Sequence, residues 1–500
     1  MSDLSNTSVA VVGGGFGGLS AACYLADAGA DVTLLEKNEQ LGGRASRLER
    51  DGFTFDMGPS WYLMPDVFER FFAHFDKTPE EYYDLQRLDP HYRIFFKDGD
   101  EIDVRGDHAY MRELFESYES GAGEAFDEYL ETSQEHYEVA MEEFVYEDRS
   151  QWRDWIDPDV MRAAPIGLQL TGSMQGYVEE YFEHPKLQQI MQYTLVFLGG
   201  APKNTPALYN IMSHVDFNLG VYYPEGGIGG VVDAIVDLGE ELGITYETNS
   251  EVTSLTKARD SFRIEVGDDR TYRPDTAVVN ADYAHAEQEL LPEHERQYDE
   301  GYWEKRTYAP SAYLIYMGVE GDVDELAHHT LVLPEDWNGH FEQIFDEPAW
   351  PDEPAYYICV PSKTDDSVAP EGHSNLFVLV PVAPGLADGQ QLREHYREKI
   401  LDDIAENTGV SLHDRIVVEE QFSVSDFVSR YNATQGTALG LAHTLRQTAL
   451  LRPSNRSSKV DGLYFTGSFT TPGIGVPMCL ISGQHTADAL IEDYSGRVEH

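Results

Sequence analysis

Glu36 and Arg44, set among glycines near the start of the chain, are the residues whose types and spacing point most directly to chemistry. A carboxylate there can accept both hydroxyls of a ribose, and a guanidinium can meet a phosphate with its fixed fork of donors. The frame for them lies just upstream. Ser8 to Val12 is an apolar run that stops at Gly13-Gly14-Gly15, and an Ala/Leu-rich helix, Leu19 to Ala28, follows. The first amides of such a helix lack internal partners and can hold a pyrophosphate. Gly13 permits the turn, Gly15 lets the backbone approach the phosphates, and Gly18 allows close helix–strand packing. A second strand, Val32 to Leu35, delivers Glu36 and then Lys37, about twenty residues after the turn. Gly42, Gly43 and Arg44 add a glycine–arginine clamp that a plain nicotinamide site does not need, so the pattern points to FAD rather than NAD. Asp56-Met57-Gly58-Pro59-Ser60 follows the aromatic strand Phe53 to Phe55 and reads as a loop under the flavin, with Gly58 and Pro59 at the cofactor; a surface turn is the alternative.

These side chains need elements from distant parts of the sequence to hold them. Tyr222 to Gly230 turns into a helix, Val231 to Leu242, and then into an extended stretch from Ile244 to Val252, a return to the nucleotide sheet with the Val252 backbone beside the adenine edge. Tyr272 to Val279 is a further strand. Gly462 to Gly467 is a strand stopped by glycine, and Pro472 to Met478 leads into a helix reaching Leu490. That helix start, with Gly467, Gly475, Val476 and Met478, can aim amides at the flavin's pyrimidine edge, where negative charge gathers on reduction. The fold class is therefore α/β, with a Rossmann-like FAD-binding domain assembled from 1–70, 222–285 and 455–495. Residues 71–221, aromatic and acidic at helical spacing, form a helical cap facing substrate and membrane. Within it, 187–198 is an apolar helix, either core or one wall of a tunnel. Residues 286–454, with alternating strands such as 312–317 and 376–380, form a second, mixed-sheet substrate domain.

Acidic residues outnumber basic ones by 89 to 35, for a formal net charge of −54. Disorder does not explain this, because 41% of the chain is hydrophobic and 12% aromatic, ample material for cores. A folded protein working in concentrated salt, where self-repulsion is screened, fits better, and the expected setting is a halophile's cytoplasm. Nucleic acid is excluded as a partner, since phosphate binding needs basic surface. Cys23, Cys359 and Cys479 are far apart and without a C-x-x-C pair, so neither a disulfide framework nor a metal site is expected. His328 and His329 stand in a loop-like context and are expected to be structural or solvent-exposed. The first strand begins within about eight residues, leaving no room for a secretory signal, and no apolar run reaches the length needed to span a bilayer.

The ordered segments VVGGGFGGLSAACYLADAGADVTLLEKNEQLGGRAS, YPEGGIGGVVDAI, ELAHHT, SVAPEG and LYFTGSFTTPGIGVP together resemble, end to end, the phytoene desaturase family of FAD-dependent carotenoid desaturases. The resemblance implies an amine-oxidase-like flavoprotein fold, non-covalent FAD, a linear carotenoid substrate and peripheral attachment to the inner face of the cell membrane. Ser468 stands after Gly467, where amine-oxidising relatives often carry an acid; this leans away from amine oxidation and leaves the ribityl-phosphate contact to the Gly467 backbone. Asp159 and Arg162 resemble the family's acid–arginine pair near the flavin, and a surface ion pair is the other reading. Desaturation removes a hydride to flavin and a neighbouring proton, so little side-chain acid–base help is required, and aromatic faces such as Tyr193, Phe197 and Tyr209 can stabilise positive charge. The implied electron acceptor is a quinone or oxygen. A halophilic host suggests C50 pigments (bacterioruberin), whose pathway needs both a phytoene desaturase and a 3,4-desaturase, and the resemblance leans toward 3,4-desaturation of a prenylated, hydroxylated acyclic carotenoid. Phytoene desaturation to lycopene, an amine-oxidase-type enzyme and a non-catalytic lipid escort are the alternatives.

Overall fold

The computed structural model describes residues 4–147, 172–444 and 446–498. Five parallel strands form the first sheet, in the order Leu463–Phe465, Thr276–Val279, Ser8–Val12, Asp31–Leu35 and Thr245–Glu247. Ser8–Val12 is central and covered on both faces, which is why it reads as a continuous apolar run. Val9 and Val11 face the helices, whereas Ala10 and Val12 face Leu255, Phe262 and Ile264 of a small antiparallel sheet. Phe16–Asp27 crosses over from the first strand and packs against two other helices, Ile228–Glu241 and Val476–Val498. Small residues make the contact between the two chain ends close. A Cβ on Gly483 would stand 2.5 Å from the Cβ of Ser20 and 2.7 Å from the amide of Ala21, and Ser20 Oγ donates to the Leu480 carbonyl at 2.7 Å. The glycine turns at the two termini are thus brought to one end of one sheet.

The second sheet has seven strands, ordered Ile416–Phe422, Ser311–Glu320, His373–Val382, Tyr356–Cys359, His329–Leu333, Tyr92–Phe96 and Glu101–Val104. All neighbours are antiparallel except His329–Leu333 with Tyr92–Phe96. Alternation along Ser311–Glu320 sends Tyr313, Ile315 and Met317 toward the helix Gln390–Thr408, and Leu314 and Tyr316 toward Phe55, Phe115 and Phe126. Both faces are buried.

Three sequence expectations change here. The stretch 71–221 contributes two strands to the second sheet, besides the helices His108–Tyr118 and Ala122–Ala140, because Ile94, Phe96, Ile102 and Val104 complete that sheet's buried face. The stretch 272–279 is broken, with Tyr272 in the small antiparallel sheet and Thr276–Val279 in the parallel one; Val252 likewise starts the antiparallel sheet. The apolar run 187–198 divides into an α-helix, Pro185–Gln192, and a tighter 3₁₀ stretch, Tyr193–Leu198, and most of its apolar side chains are core.

Candidate functional site

The glycine turn after Ser8–Val12 is built by contact as much as by conformation. Gly13 has φ +101°, and a Cβ on Gly18 would lie 2.1 Å from the Gly13 carbonyl oxygen, so only glycine lets the helix start this close to the strand. No side chain caps the helix Phe16–Asp27 at Gly15, which leaves its leading amides to a ligand. Glu36 is folded back across this turn: Oε2 accepts the Gly14 N–H and Oε1 the Asn38 N–H, both at 2.8 Å. The second clamp docks on the first, with the Gly42 N–H donating to the Gly14 carbonyl at 2.8 Å. Arg44 donates through Nη2 to the Thr437 carbonyl at 3.3 Å, while its solvent-shielded Nε has no protein partner among the described residues. A buried guanidinium edge without an acceptor calls for an anion.

One cavity of about 1020 Å³ gathers these residues. Gly13, Gly15, Glu36, Lys37, Gly43 and Arg44 line it, as do Gly58, Pro59 and Val252, and Gly475, Val476 and Met478 from the far end of the chain. Gly18 does not, in keeping with its packing role. Gly467 is also behind the wall, contrary to the expectation that its backbone meets the cofactor. Its N–H donates to Ser482 Oγ at 3.0 Å, and its Cα is packed on Gly17, so the neighbours Thr466 and Ser468 are the ones that face the cavity. The ammonium of Lys37 is turned to the Ser429 carbonyl and Asn432 Oδ1, at 2.9 and 2.7 Å. Asp159 and Arg162 lie outside the described residues, as does the side chain of Phe197. Tyr193 is buried away from the cavity, donating with Tyr92 to Asp216 Oδ2 at 3.1 and 2.7 Å, whereas Tyr209 lines the cavity. Burial pushes the Asp216 carboxyl up to about 7.

Beyond the nucleotide cradle the wall is apolar. Leu63 and Met64 come from the end of the first FAD-binding segment, Met141, Val145, Leu198 and Val215 from the cap, and Ala312, Leu314 and Leu379 from the face of the second sheet. The loop Pro472–Gly475, which leads into the helix Val476–Val498, lines the same cavity. His443, buried at 3% exposure, accepts the Ile474 N–H at Nε2 over 3.0 Å; this leaves the proton on Nδ1, which donates to the Tyr209 oxygen. Desolvation holds this imidazole neutral, its pKa well below the usual value. Gly473, at φ +132°, has no room for a side chain, since a Cβ would stand 2.3 Å from His443 Cε1. Arg452 is buried beside it and donates to the carbonyls of Leu441, Gln447, Ser468 and Thr470, tying together the segments that carry this loop. None of these contacts was foreseen from sequence, because Tyr209 and His443 are 234 residues apart. For the histidine pair, the loop-like, solvent-exposed alternative is the one that fails. His328 and His329 are buried, at 6% and 0%, because the second sheet closes over them, and His329 begins one of its strands.

The family model for flavin containing amine oxidoreductases matches residues 16–491. A carotenoid 3,4-desaturase of Haloarcula japonica is 76% identical over 493 residues, covering 99% of this chain and 100% of that protein. A 4,4'-diapophytoene desaturase (4,4'-diaponeurosporene-forming) of Staphylococcus haemolyticus is 33% identical over 507 residues, covering 98% and 99%. Among solved structures, wild-type putrescine oxidase bound to putrescine aligns at a TM-score of 0.62 and 16% identity, over 97% of this chain and 99% of that one, a likeness of fold.

Proposed function

The chain belongs to the flavin containing amine oxidoreductase family and, within it, to the carotenoid desaturases, and from that premise we propose that it carries out FAD-dependent 3,4-desaturation of a prenylated, hydroxylated acyclic carotenoid in the C50 pigment (bacterioruberin) pathway. The observation that carries the reading is the continuity of one cavity from the Glu36–Arg44 cradle to a wall of aliphatic side chains. FAD, when bound, supplies the two-electron oxidising chemistry that a carbon–carbon desaturation requires. The chain's own residues bind, orient and exclude water. In this reading Glu36 meets the ribose hydroxyls, Arg44 Nε and the leading amides of Phe16–Asp27 the pyrophosphate, and Gly475 to Met478 the ring system, and these groups all line the one cavity. Leu63, Met64, Leu198 and Leu314 offer a long polyene surface no hydrogen-bonding competitor, which keeps it dry and aligned by shape. Asp159 and Arg162 enter the proposal, on family resemblance alone, as an acid–arginine pair near the flavin. A quinone or oxygen takes up the electrons.

Access from a bilayer belongs to the same proposal. Leu450 and Leu451 are exposed at 39% and 55% on an otherwise acidic chain, and they follow directly on Thr448 and Ala449 of the cavity lining. No helix among the described residues is long and apolar enough to cross a membrane, which agrees with attachment through a local lip. The deciding experiment presents the flavin-loaded protein, in molar potassium chloride, with liposomes carrying either the prenylated hydroxylated carotenoid or phytoene, plus a quinone. New conjugated double bonds in the first substrate support the reading. Conversion of phytoene alone, or peroxide release with amines and no carotenoid product, overturns it.

A further inference from the structure

The second sheet brings two adjacent histidines together with a cysteine that lies 30 residues beyond the second of them in sequence. His329 and Cys359 are direct partners across antiparallel strands, and His328 precedes His329 with its ring 4.5 Å away. One nitrogen of each imidazole and the Cys359 sulfur lie within 4.8 Å of one another, all buried. Each imidazole is held by its other nitrogen: Nδ1 of His328 bonds to Thr364 Oγ1 and Nδ1 of His329 to the Tyr357 hydroxyl, both at 2.6 Å. Whichever tautomer is drawn, both Nε2 atoms remain buried without a protein partner. Two such atoms in one buried cluster are costly to leave without a partner. If both Nδ1 atoms carry the proton, the outer hydrogen bonds are those that orient metal-binding histidines, and the Nε2 lone pairs are free.

We propose that His328 Nε2, His329 Nε2 and the Cys359 thiolate bind one soft transition-metal cation, Zn²⁺ or Cu⁺, which locks the wall of the substrate cavity to the second sheet. Zn–N and Zn–S lengths place tetrahedral ligands about 3.4 to 3.6 Å apart, so the site closes with side-chain shifts on the order of 1 Å. Binding releases the thiol proton of Cys359, which burial first and the nearby Asp56 carboxylate second hold on the sulfur. A carboxylate-free set of one thiolate and two neutral imidazoles disfavours magnesium and calcium. The connection to the cavity is direct. His329 stacks flat on the Trp61 indole, centroids 4.3 Å apart and planes at 7°, and Tyr357 joins the same loop through Ser60 Oγ at 2.9 Å. Trp61 and Ser60 both line the cavity.

The test is elemental analysis of the full, flavin-loaded chain, produced with zinc and copper both supplied and purified in molar potassium chloride. About one equivalent of zinc or copper per chain is expected, with X-ray absorption showing one sulfur and two imidazole neighbours. Cys359→Ser is expected to retain flavin but less than about a tenth of the metal. Metal-free wild-type protein that also takes up neither cation on dialysis overturns the proposal, as does an equivalent of metal without sulfur ligation. The absorption spectrum is read on the wild type, so the answer does not depend on the variant folding.

Discussion

Gly18→Ala, compared with Gly14→Ala, isolates the close packing on which the cofactor cradle rests. At Gly18 the new Cβ would stand 2.1 Å from the Gly13 carbonyl oxygen and 3.1 Å from Asn280 Cβ. A comfortable carbon–oxygen contact is about 3.3 Å, so the helix start must retreat from the strand by roughly 1 Å. The obstacle is backbone, and Asn280 Nδ2 donates to the same oxygen at 3.2 Å, so nothing flexible can yield. At Gly14 the nearest atom is the tip of Leu41, 2.6 Å away, which can rotate. A 1 Å retreat carries the leading amides away from the pyrophosphate. Loss of one charge-assisted hydrogen bond costs about 1.5 to 3 kcal/mol, or roughly 10- to 100-fold in FAD affinity. Overpacking adds about 1 to 3 kcal/mol to the loss of stability. Titration of apoprotein with FAD, followed by flavin fluorescence in molar salt, reads the affinity directly. Binding by Gly18→Ala within about threefold of wild type, or an equal loss in Gly14→Ala, would refute the reasoning.

Arg44→Lys keeps the charge but removes the planar fork, and flavin affinity by the same titration is expected to fall roughly 10-fold or more. Asp216, raised from 3.8 to about 7, keeps a proton that the unfolded chain releases, so its share of stability is full below pH about 4 and is lost as pH rises through 7. That share is about 4 kcal/mol, and thermal unfolding between pH 4 and 8 should show it in the wild type and lack it in Asp216→Asn; parallel profiles would contradict it. Leu450→Asp with Leu451→Asp should leave flavin content intact while abolishing sedimentation with liposomes. Lowering potassium chloride toward dilute buffer should unfold the protein as screening of its −54 charge is lost, seen by circular dichroism; full stability without salt would count against the halophilic reading.

The cradle was legible because its signals are local. Strand, glycine turn, helix and acid fall within Ser8 to Glu36, and each step constrains its neighbour. The glycines around Pro472–Met478 were legible for the same reason. Long-range appositions were not. Tyr92–Phe96 joins His329–Leu333 across more than two hundred residues, and the aromatic residues that flank it in sequence alternate at helical spacing, which hid the strand. Gly467 was misplaced because a strand-ending glycine reads alike whether it serves a ligand or, as here, the helix at Gly17. Nothing local tells that His328 and His329 will be enclosed, since their surroundings are set by Tyr357 and Cys359 of a neighbouring strand and by Trp61, far away in sequence.

The parallel sheet takes its outermost strand from Leu463–Phe465 and its central one from Ser8–Val12. A polypeptide emerging from the ribosome therefore exposes its dinucleotide turn for nearly the whole of synthesis before the closing strand and terminal helix exist. Flavin retention is therefore expected to depend on this late strand and on the helix Val476–Val498, so that a polypeptide truncated before Leu463 is colourless rather than a partly active enzyme.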